Sequence, residues 1–468
     1  MENLKNTRSA TKWVAAGILV KQGLRLVSNL IMTRILSPEV FGIMAIINLV
    51  IQALNMISDI GLRPSIIRSP RSDDVYLRTA WTIQVVRGMV LWLFTILVAW
   101  PISQYYEEPV LLYILPCSGL IALFMGFNSI AVIQNQKKLK YKKIAILDVI
   151  SALIGLIVMV VCGIIYHSVW SLVLGGILST LFMTIFSFYF LDKFKHSFCW
   201  NKEVVYELFH FGKWVFISTV LTFFVAQYDK LALGKLADMS SLGLYSIAMV
   251  WAQLPVMIFS QLNNKILYPV VAEYNRTGEF KKCAAIRNSI VKLSMVICIF
   301  MVAAGQLIVE VLYERNYSEA GDLVSILGIL AWFQIVESIN TNLLMAVGRP
   351  KDKIPSQVMG LVVLVGFMGV VYLNYGMYGV AVLAAASMMV RAYILDLQLR
   401  KDQVYFLMFD IKKTLILIGV GLGLHWLIDS SLVNLSNIIV LTLACVLTTL
   451  FLVYIFLKQT QLKRLMNV

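Results

Sequence analysis

Acidic residues are few in this chain, 25 Asp and Glu against 40 Lys and Arg in 468 residues, and charge of either sign makes up only 14% of it. That share leaves too little polar surface for an ordinary soluble domain. Histidine is scarcer still: His167, His196, His210 and His425 are scattered, with neither an HExxH spacing nor a paired acid, which removes the usual signatures of zinc and general-base catalysis. Cys117, Cys162, Cys298 and Cys445 fall in apolar runs and Cys199 and Cys283 in polar ones, with no CxxC spacing, so neither a disulfide nor a metal centre is expected. No GxxxxGK[ST] occurs, so the chain cannot by itself hydrolyse a nucleotide as a P-loop protein does. No cofactor is expected.

What is abundant is apolar sequence. Hydrophobic residues make up 60% of the chain and the mean hydropathy is +0.82. Runs near 20 residues, each enough to cross about 30 Å of hydrocarbon, fall at 13–33, 41–58, 79–100, 111–133, 144–165, 169–190, 214–233, 243–263, 289–309, 324–346, 354–372, 377–398, 414–428 and 436–457. The expected fold class is an all-α integral membrane protein with fourteen transmembrane helices. The first run is full length and lacks a compact signal core with a cleavage site, so it reads as an uncleaved anchor.

Alternate loops differ in charge. One set carries clusters such as Lys137, Lys138, Lys140, Lys142 and Lys143, or Arg276, Lys281, Lys282 and Arg287; the other carries only Arg34, Lys235 and Arg315 among acids such as Glu39, Glu107 and Glu108. Basic loops stay cytoplasmic, which puts both termini there. The same asymmetry accounts for the net charge of +15 without nucleic acid. Anionic lipid headgroups are natural neighbours of this rim.

LIMTRILSPEVFGIMAI, from Leu30, resembles LALGKLADMSSLGLYSIAM, from Leu231, at an offset of 231 − 30 = 201 residues, with Arg34 over Lys235 and Gly42 over Gly243. Six spans would then repeat in the same orientation, as in parallel-repeat transporters. The expected organisation is a six-helix lobe at 1–190, a cytoplasmic connector at 191–213, a second six-helix lobe at 214–398, and a loop with two extra helices at 399–468. Ser37-Pro38-Glu39 reads as helix punctuation: an N-cap, a first-turn proline and an acid that complements the dipole.

Charges inside the runs are the candidate functional residues. Lys21 and Arg25 share a helical face with Gly17 and Ser28 and sit about 12 and 18 Å past Trp13 at 1.5 Å per residue. Lys21 can snorkel, whereas Arg25 near the midplane cannot easily do so. Each costs about 2.5–3.5 kcal/mol at a helix centre facing lipid, so a wet interior or a structural ion pair is the expected setting. Arg87 and Arg391 are further candidates for lining such an interior, with snorkelling the other reading of each. Glu337, beside Gln334, Ser338 and Thr341, is a candidate proton or cation carrier or else a partner of Arg391. Asp229, next to Lys230, is either a second coupling candidate or an interfacial residue. Asp59, Asp148 and Asp396 lie near cytoplasmic helix ends, where they are expected to be solvated or paired with loop bases.

The run Gly23-Leu24-Arg25, continuing through Leu30-Ile31-Met32-Thr33-Arg34-Ile35-Leu36-Ser37-Pro38-Glu39-Val40-Phe41-Gly42 and followed by Asp59-Ile60-Gly61-Leu62, resembles the start of lipopolysaccharide and exopolysaccharide flippases. These are the Wzx-type polysaccharide transporters of the multidrug/oligosaccharidyl-lipid/polysaccharide superfamily, and the likeness is nearest to the branch containing the colanic acid exporter. Tyr228-Asp229-Lys230-Leu231 to Gly243-Leu244-Tyr245 is similar to that family's repeat. The resemblance implies a non-enzymatic flippase in the bacterial inner membrane. It would move undecaprenyl-diphosphate-linked oligosaccharide from the cytoplasmic to the outer leaflet by alternating access, with Lys21, Arg25 and Arg87 toward the anionic cargo and the polysaccharide polymerase as a partner.

Two other readings stand beside it. A multidrug or amphiphile antiporter more often needs acidic cavity residues for cationic cargo, and here basic residues outnumber acids within the runs. A membrane polymerase or ligase of the same pathway usually presents large outward loops with reactive groups, and these outward loops are short. A non-transporting scaffold is a further alternative.

Overall fold

Inside a bilayer the backbone has no water to bond with, so long apolar runs fold as helices, each satisfying its own N–H and C=O groups. In the computed structural model all regular structure among the described residues is helical. The structure describes residues 2–429 apart from 59–61, 63–64, 67–72, 139, 192–193, 278–282 and 400–406. The run expected at 436–457 and the stretch Asp59-Ile60-Gly61 lie outside the described residues.

The helices are α1 (Glu2–Met32), α2 (Pro38–Ile57), α3 (Asp74–Tyr106), α4 (Leu111–Phe127), α5 (Ala131–Lys137), α6 (Tyr141–Tyr166), α7 (Trp170–Phe190), α8 (Lys202–Leu236), α9 (Met239–Leu262), α10 (Tyr268–Arg276), α11 (Cys283–Leu312), α12 (Ala320–Ala346), α13 (Lys353–Leu399) and α14 (Leu407–Asp429). Among the described residues, eight are long and apolar enough to cross a membrane, or up to nine if α4 and α5, bent by 57°, form one broken span. α13 breaks at Gly376, whose φ of 57° and ψ of −147° suit a residue without Cβ.

Three boundaries differ from expectation. α1 begins well before residue 13, and α8 begins at Lys202, inside the stretch expected to be a polar connector. Asn201 caps α8, its side chain accepting from the backbone N–H groups of Glu203 and Val204, so a local capping signal outweighs the polar composition. The fourth run bends where Asn128 to Ile130 interrupt it.

The described residues fall into two compact units, Met1–Gly243 and Leu244–Val468, the boundary lying within α9. In the first unit, helix pairs approach through small residues. A Cβ at Gly88 would lie 2.9 Å from the Gly126 Cα, which brings α3 close to α4, and Gly155 and Gly175 do the same for α6 and α7. α1 packs on α6 in parallel register: Gly17 meets Ala145, the Ser28 hydroxyl lies 3.1 Å from the Met159 sulfur, and Met32 meets Gly163. The start of α2 and the first turn of α9 approach reciprocally. A Cβ at Gly42 would collide with the Met239 carbonyl, and one at Gly243 with the Pro38 carbonyl. These are the positions the 201-residue offset pairs, 38 with 239 and 42 with 243.

The polar end of the first unit is closed by residues 194–201. His196 Nε2 lies 3.1 Å from Ser129 Oγ and 3.3 Å from the Ile130 backbone N–H. Its ring packs against Trp81, Phe188 and Phe194, and burial lowers its pKa below the ordinary histidine value. The Cys199 N–H donates to Thr82 Oγ1 at 3.0 Å. Trp81 belongs to a buried cluster with Ile66, Tyr76, Leu77, Ile130 and Val204.

In the second unit, α12 is the central helix, flanked by α11, α13 and α10, and most of its side chains are buried. α11 and α12 meet closely at Gly305 and Gly321. Trp332 of α12 donates to Thr414 of α14 at 3.0 Å.

Candidate functional site

The face of α1 carrying Gly17, Lys21 and Ser28 is turned toward α6, because only a small residue at 17 lets the two helices approach. That geometry brings Lys21 Nζ to 4.0 Å from Asp148 Oδ1, with side chains 57% and 39% exposed. Asp148, partly solvated as expected, thus also meets a cation of the first helix. At this distance and exposure the pair is weak, leaving the ammonium accessible. Arg25, one turn further, is exposed and lies within electrostatic reach of Lys230 on α8. Two cations thus stand one turn apart in the middle of α1, neither neutralised by a buried acid among the described residues.

Arg87 is engaged differently. Its Nε donates to Ser58 Oγ and its NH2 to the Asn55 carbonyl, both at 2.9 Å. The guanidinium thereby satisfies a carbonyl at the C-terminal end of α2, where the helix dipole favours positive charge. The neighbouring Gln84 does similar work on α4, donating to the carbonyls of Gly126 and Asn128 at 2.9 and 3.0 Å. On α8, Asp229 is buried at 5% exposure, and the Lys230 ammonium donates to Gln227 Oε1 at 3.1 Å. At the ends of α8 and α3, Lys235 pairs with Glu107 at 2.8 Å and lies over the Tyr105 ring. That hydrogen bond and charge hold the Glu107 carboxyl below its ordinary pKa.

In the second unit the charges are neutralised in place. Arg391 NH2 lies 3.0 Å from Glu337 Oε1, and Lys353 Nζ 3.5 Å from the same oxygen. The partnership between Glu337 and Arg391 is the reading the structure supplies for both, with Lys353 as an unanticipated third member. Arg287, counted above among loop cations, is fully buried in α11. It is paired with Asp410 of α14, NH1 to Oδ1 at 3.1 Å, and donates to Asn340 Oδ1 of α12 at 2.9 Å. Lys413 adds a contact to Asp410 at 3.6 Å and donates to Asn288 at 2.7 Å. Asp396, expected to be solvated or paired with a loop base, is fully buried and so not solvated. Arg287 and Asp410 were missed because each lies just outside an apolar run, where hydropathy cannot separate a helix end from a loop. The usable signal was the absence of Gly and Pro between Cys283 and the apolar run, which lets one helix continue through Arg287.

Of the candidate residues, the structure places Lys21, Arg25, Arg87 and Asp229 in the first unit and joins Arg391 to Glu337 in the second. No group of three or more His, Cys, Asp or Glu suited to a metal occurs among the described residues. What the first unit offers chemically is exposed positive charge at mid-helix, suited to an anionic group through an Arg fork and a mobile Lys.

Comparison with known proteins places this arrangement. The chain is 22% identical over 271 residues to the succinoglycan biosynthesis transport protein ExoT of Rhizobium meliloti, covering 57% of this chain and 55% of that one. It is 22% identical over 270 residues to the lipopolysaccharide biosynthesis protein WzxC of Escherichia coli, covering 58% and 55%. The aligned region thus spans about half the length of these curated relatives. Among solved structures, the lipid II flippase MurJ in an inward closed conformation superposes with a TM-score of 0.72 at 13% identity, over 95% of this chain and 98% of that one. An inward-facing multidrug resistance transporter of the MATE family gives 0.62 at 12% identity, over 85% and 96%. At these identities the likeness is one of fold, that of a multi-pass helical membrane protein. Residues 31–322 match the family described as polysaccharide biosynthesis protein, and the chain belongs to that family.

Proposed function

We propose that the chain is a flippase, not an enzyme, which moves undecaprenyl-diphosphate-linked oligosaccharide from the cytoplasmic to the outer leaflet of the bacterial inner membrane for cell-surface polysaccharide biosynthesis. The observation that carries this reading is the exposed, weakly paired cation couple Lys21 and Arg25 at the middle of α1, in a chain whose relatives include transport proteins of polysaccharide biosynthesis. A diphosphate carries the complementary charge, and in a low-dielectric surround the contact is stronger than in water. Arg87 contributes by holding α2 and, when its helix-end bonds open, as a third cation. Arg391 serves with Glu337, the acid whose protonation or cation binding would free it; Asp229 is the second coupling candidate.

Fourteen spans in two six-helix lobes with two extra C-terminal helices, both termini cytoplasmic, complete the reading, with lobes at 1–190 and 214–398, the connector at 191–213, and the extra helices within 399–468. The reciprocal contacts of Gly42 and Gly243 support the repeat. Alternating access requires the outward-open state to hold the headgroup more weakly than the inward-open state, so that cargo is released. The polysaccharide polymerase is the proposed partner. A multidrug antiporter of cationic cargo is disfavoured by the excess of accessible positive charge in the first unit.

The test is leaflet translocation of undecaprenyl-diphosphate oligosaccharide in proteoliposomes. The intact protein is expected to transport and Arg25→Ala to insert normally without transporting. Transport by Arg25→Ala at the intact rate would remove the diphosphate role.

A further inference from the structure

The second unit holds a line of neutral hydrogen-bonding groups where a membrane span ordinarily has none. On α12, Gln334, Ser338 and Asn342 recur at the four-residue spacing of one helical face. Facing them, Gln253 lies on α9, and Asn263 and Asn264 open the π-helical turn Asn263–Leu267 that follows it. Gln253 Nε2 donates to Gln334 Oε1 at 3.0 Å, Asn263 Nδ2 to Ser338 Oγ at 3.4 Å, and Asn342 Nδ2 to Asn264 Oδ1 at 3.1 Å. In an ordinary α-helix, adjacent residues 263 and 264 would diverge by about 100°; the wider π turn lets both reach the same neighbouring helix.

Polar pairs between spans often act only as glue. Two observations exceed that role. Gln253 and Asn264 are exposed, and each keeps amide groups beyond the bond it makes: Gln253 its carbonyl oxygen, Asn264 its two N–H donors. An exposed amide costs free energy against hydrocarbon, so this edge meets a polar surround. The strip is also incompletely satisfied internally, since the buried Asn263 Oδ1 and Thr341 Oγ1 meet no donor or acceptor among the described residues, whereas a structural polar network usually satisfies its own members.

We infer that this strip binds the sugar hydroxyls of a glycan, an inference that rests on the flippase reading above and assigns the carbohydrate part of the cargo to the second unit. Sugar hydroxyls donate and accept at once, as the free amide groups of Gln253 and Asn264 do. Neutral groups suit a neutral polyol, and a strip of repeated amide pairs tolerates successive sugars.

The test uses Gln253→Ala/Asn264→Ala, which alters only the two exposed members. Binding of two probes is measured in nanodiscs: undecaprenyl-diphosphate oligosaccharide and undecaprenyl diphosphate without sugar. The glycosylated lipid is expected to bind about tenfold more weakly to the variant, as two lost hydrogen bonds imply, with binding of the bare lipid unchanged. Equal loss for both lipids, or no loss for either, would overturn the strip's role while leaving the flippase reading intact. An intact protein that binds neither lipid would overturn the flippase reading and the strip's role with it.

Discussion

The two units handle charge within their helices in opposite ways. In the first, Lys21 reaches its acid only at 4.0 Å and both side chains stay exposed, while Arg25 has no acid among its described contacts. In the second, Arg287 and Asp410 are 0% and 1% exposed and share further bonds with Asn340 and Lys413, and Arg391 is closed on Glu337. Charge that is paired and desolvated holds helices in one arrangement; charge left open is available to something else. The lesson is that the place of a charge in a helix does not by itself make it functional. Arg287 and Arg25 are both arginines in helices of the same chain, yet one joins α11, α12 and α14 and the other is free to meet a ligand.

The largest break in this contrast is Arg287→Ala, which leaves Asp410 buried without its main partner. It should destabilise the protein by about 3–5 kcal/mol in thermal unfolding in detergent, and Arg287→Met with Asp410→Leu should recover most of that loss. If Arg287→Ala unfolds like the unaltered protein, the pair is not what holds α14. Next is the close crossing in the first unit. Gly243→Ala or Gly42→Ala should each cost about 1–3 kcal/mol through collision with a carbonyl. Because both sit at one crossing, the double replacement should cost less than the sum; strict additivity would separate them.

A smaller effect is expected at His196. Its folded pKa lies below the unfolded value near 6.5 because burial disfavours the imidazolium. Above that pH both states are neutral and nothing is lost. Below it the unfolded chain binds the proton first, so stability should fall as pH drops from about 6.5 toward the lowered folded value. His196→Gln should flatten that part of the pH profile, and an unchanged profile would exclude the residue. Smallest is Lys21→Ala, expected to change stability by about 0–1 kcal/mol while lowering transport in the same vesicles. A large stability loss would move Lys21 into the class of Arg287 and dissolve the contrast.

Much of this was legible along the chain because hydropathy and helix periodicity are local properties. The apolar runs mark where helices lie, the loop cations suggest an orientation, and Lys21, Arg25, Glu337 and Arg391 stand out as charges with no local reason to be there. The offset pairing Gly42 with Gly243 was legible too, though not that each glycine presses on the other segment's first turn. Partners were not legible, because they depend on helices distant in sequence. Arg287 meets Asp410 across 123 residues, Glu337 meets Arg391 across 54, and Lys21 meets Asp148 only because Gly17 lets α1 approach α6. By itself the sequence determined that this is a helical membrane protein and marked some of the charges that enter its helices, though not Arg287. Only the tertiary structure decided which of those charges are neutralised and which remain open, since the cost of a buried charge is set by what packs around it and not by its neighbours in the chain.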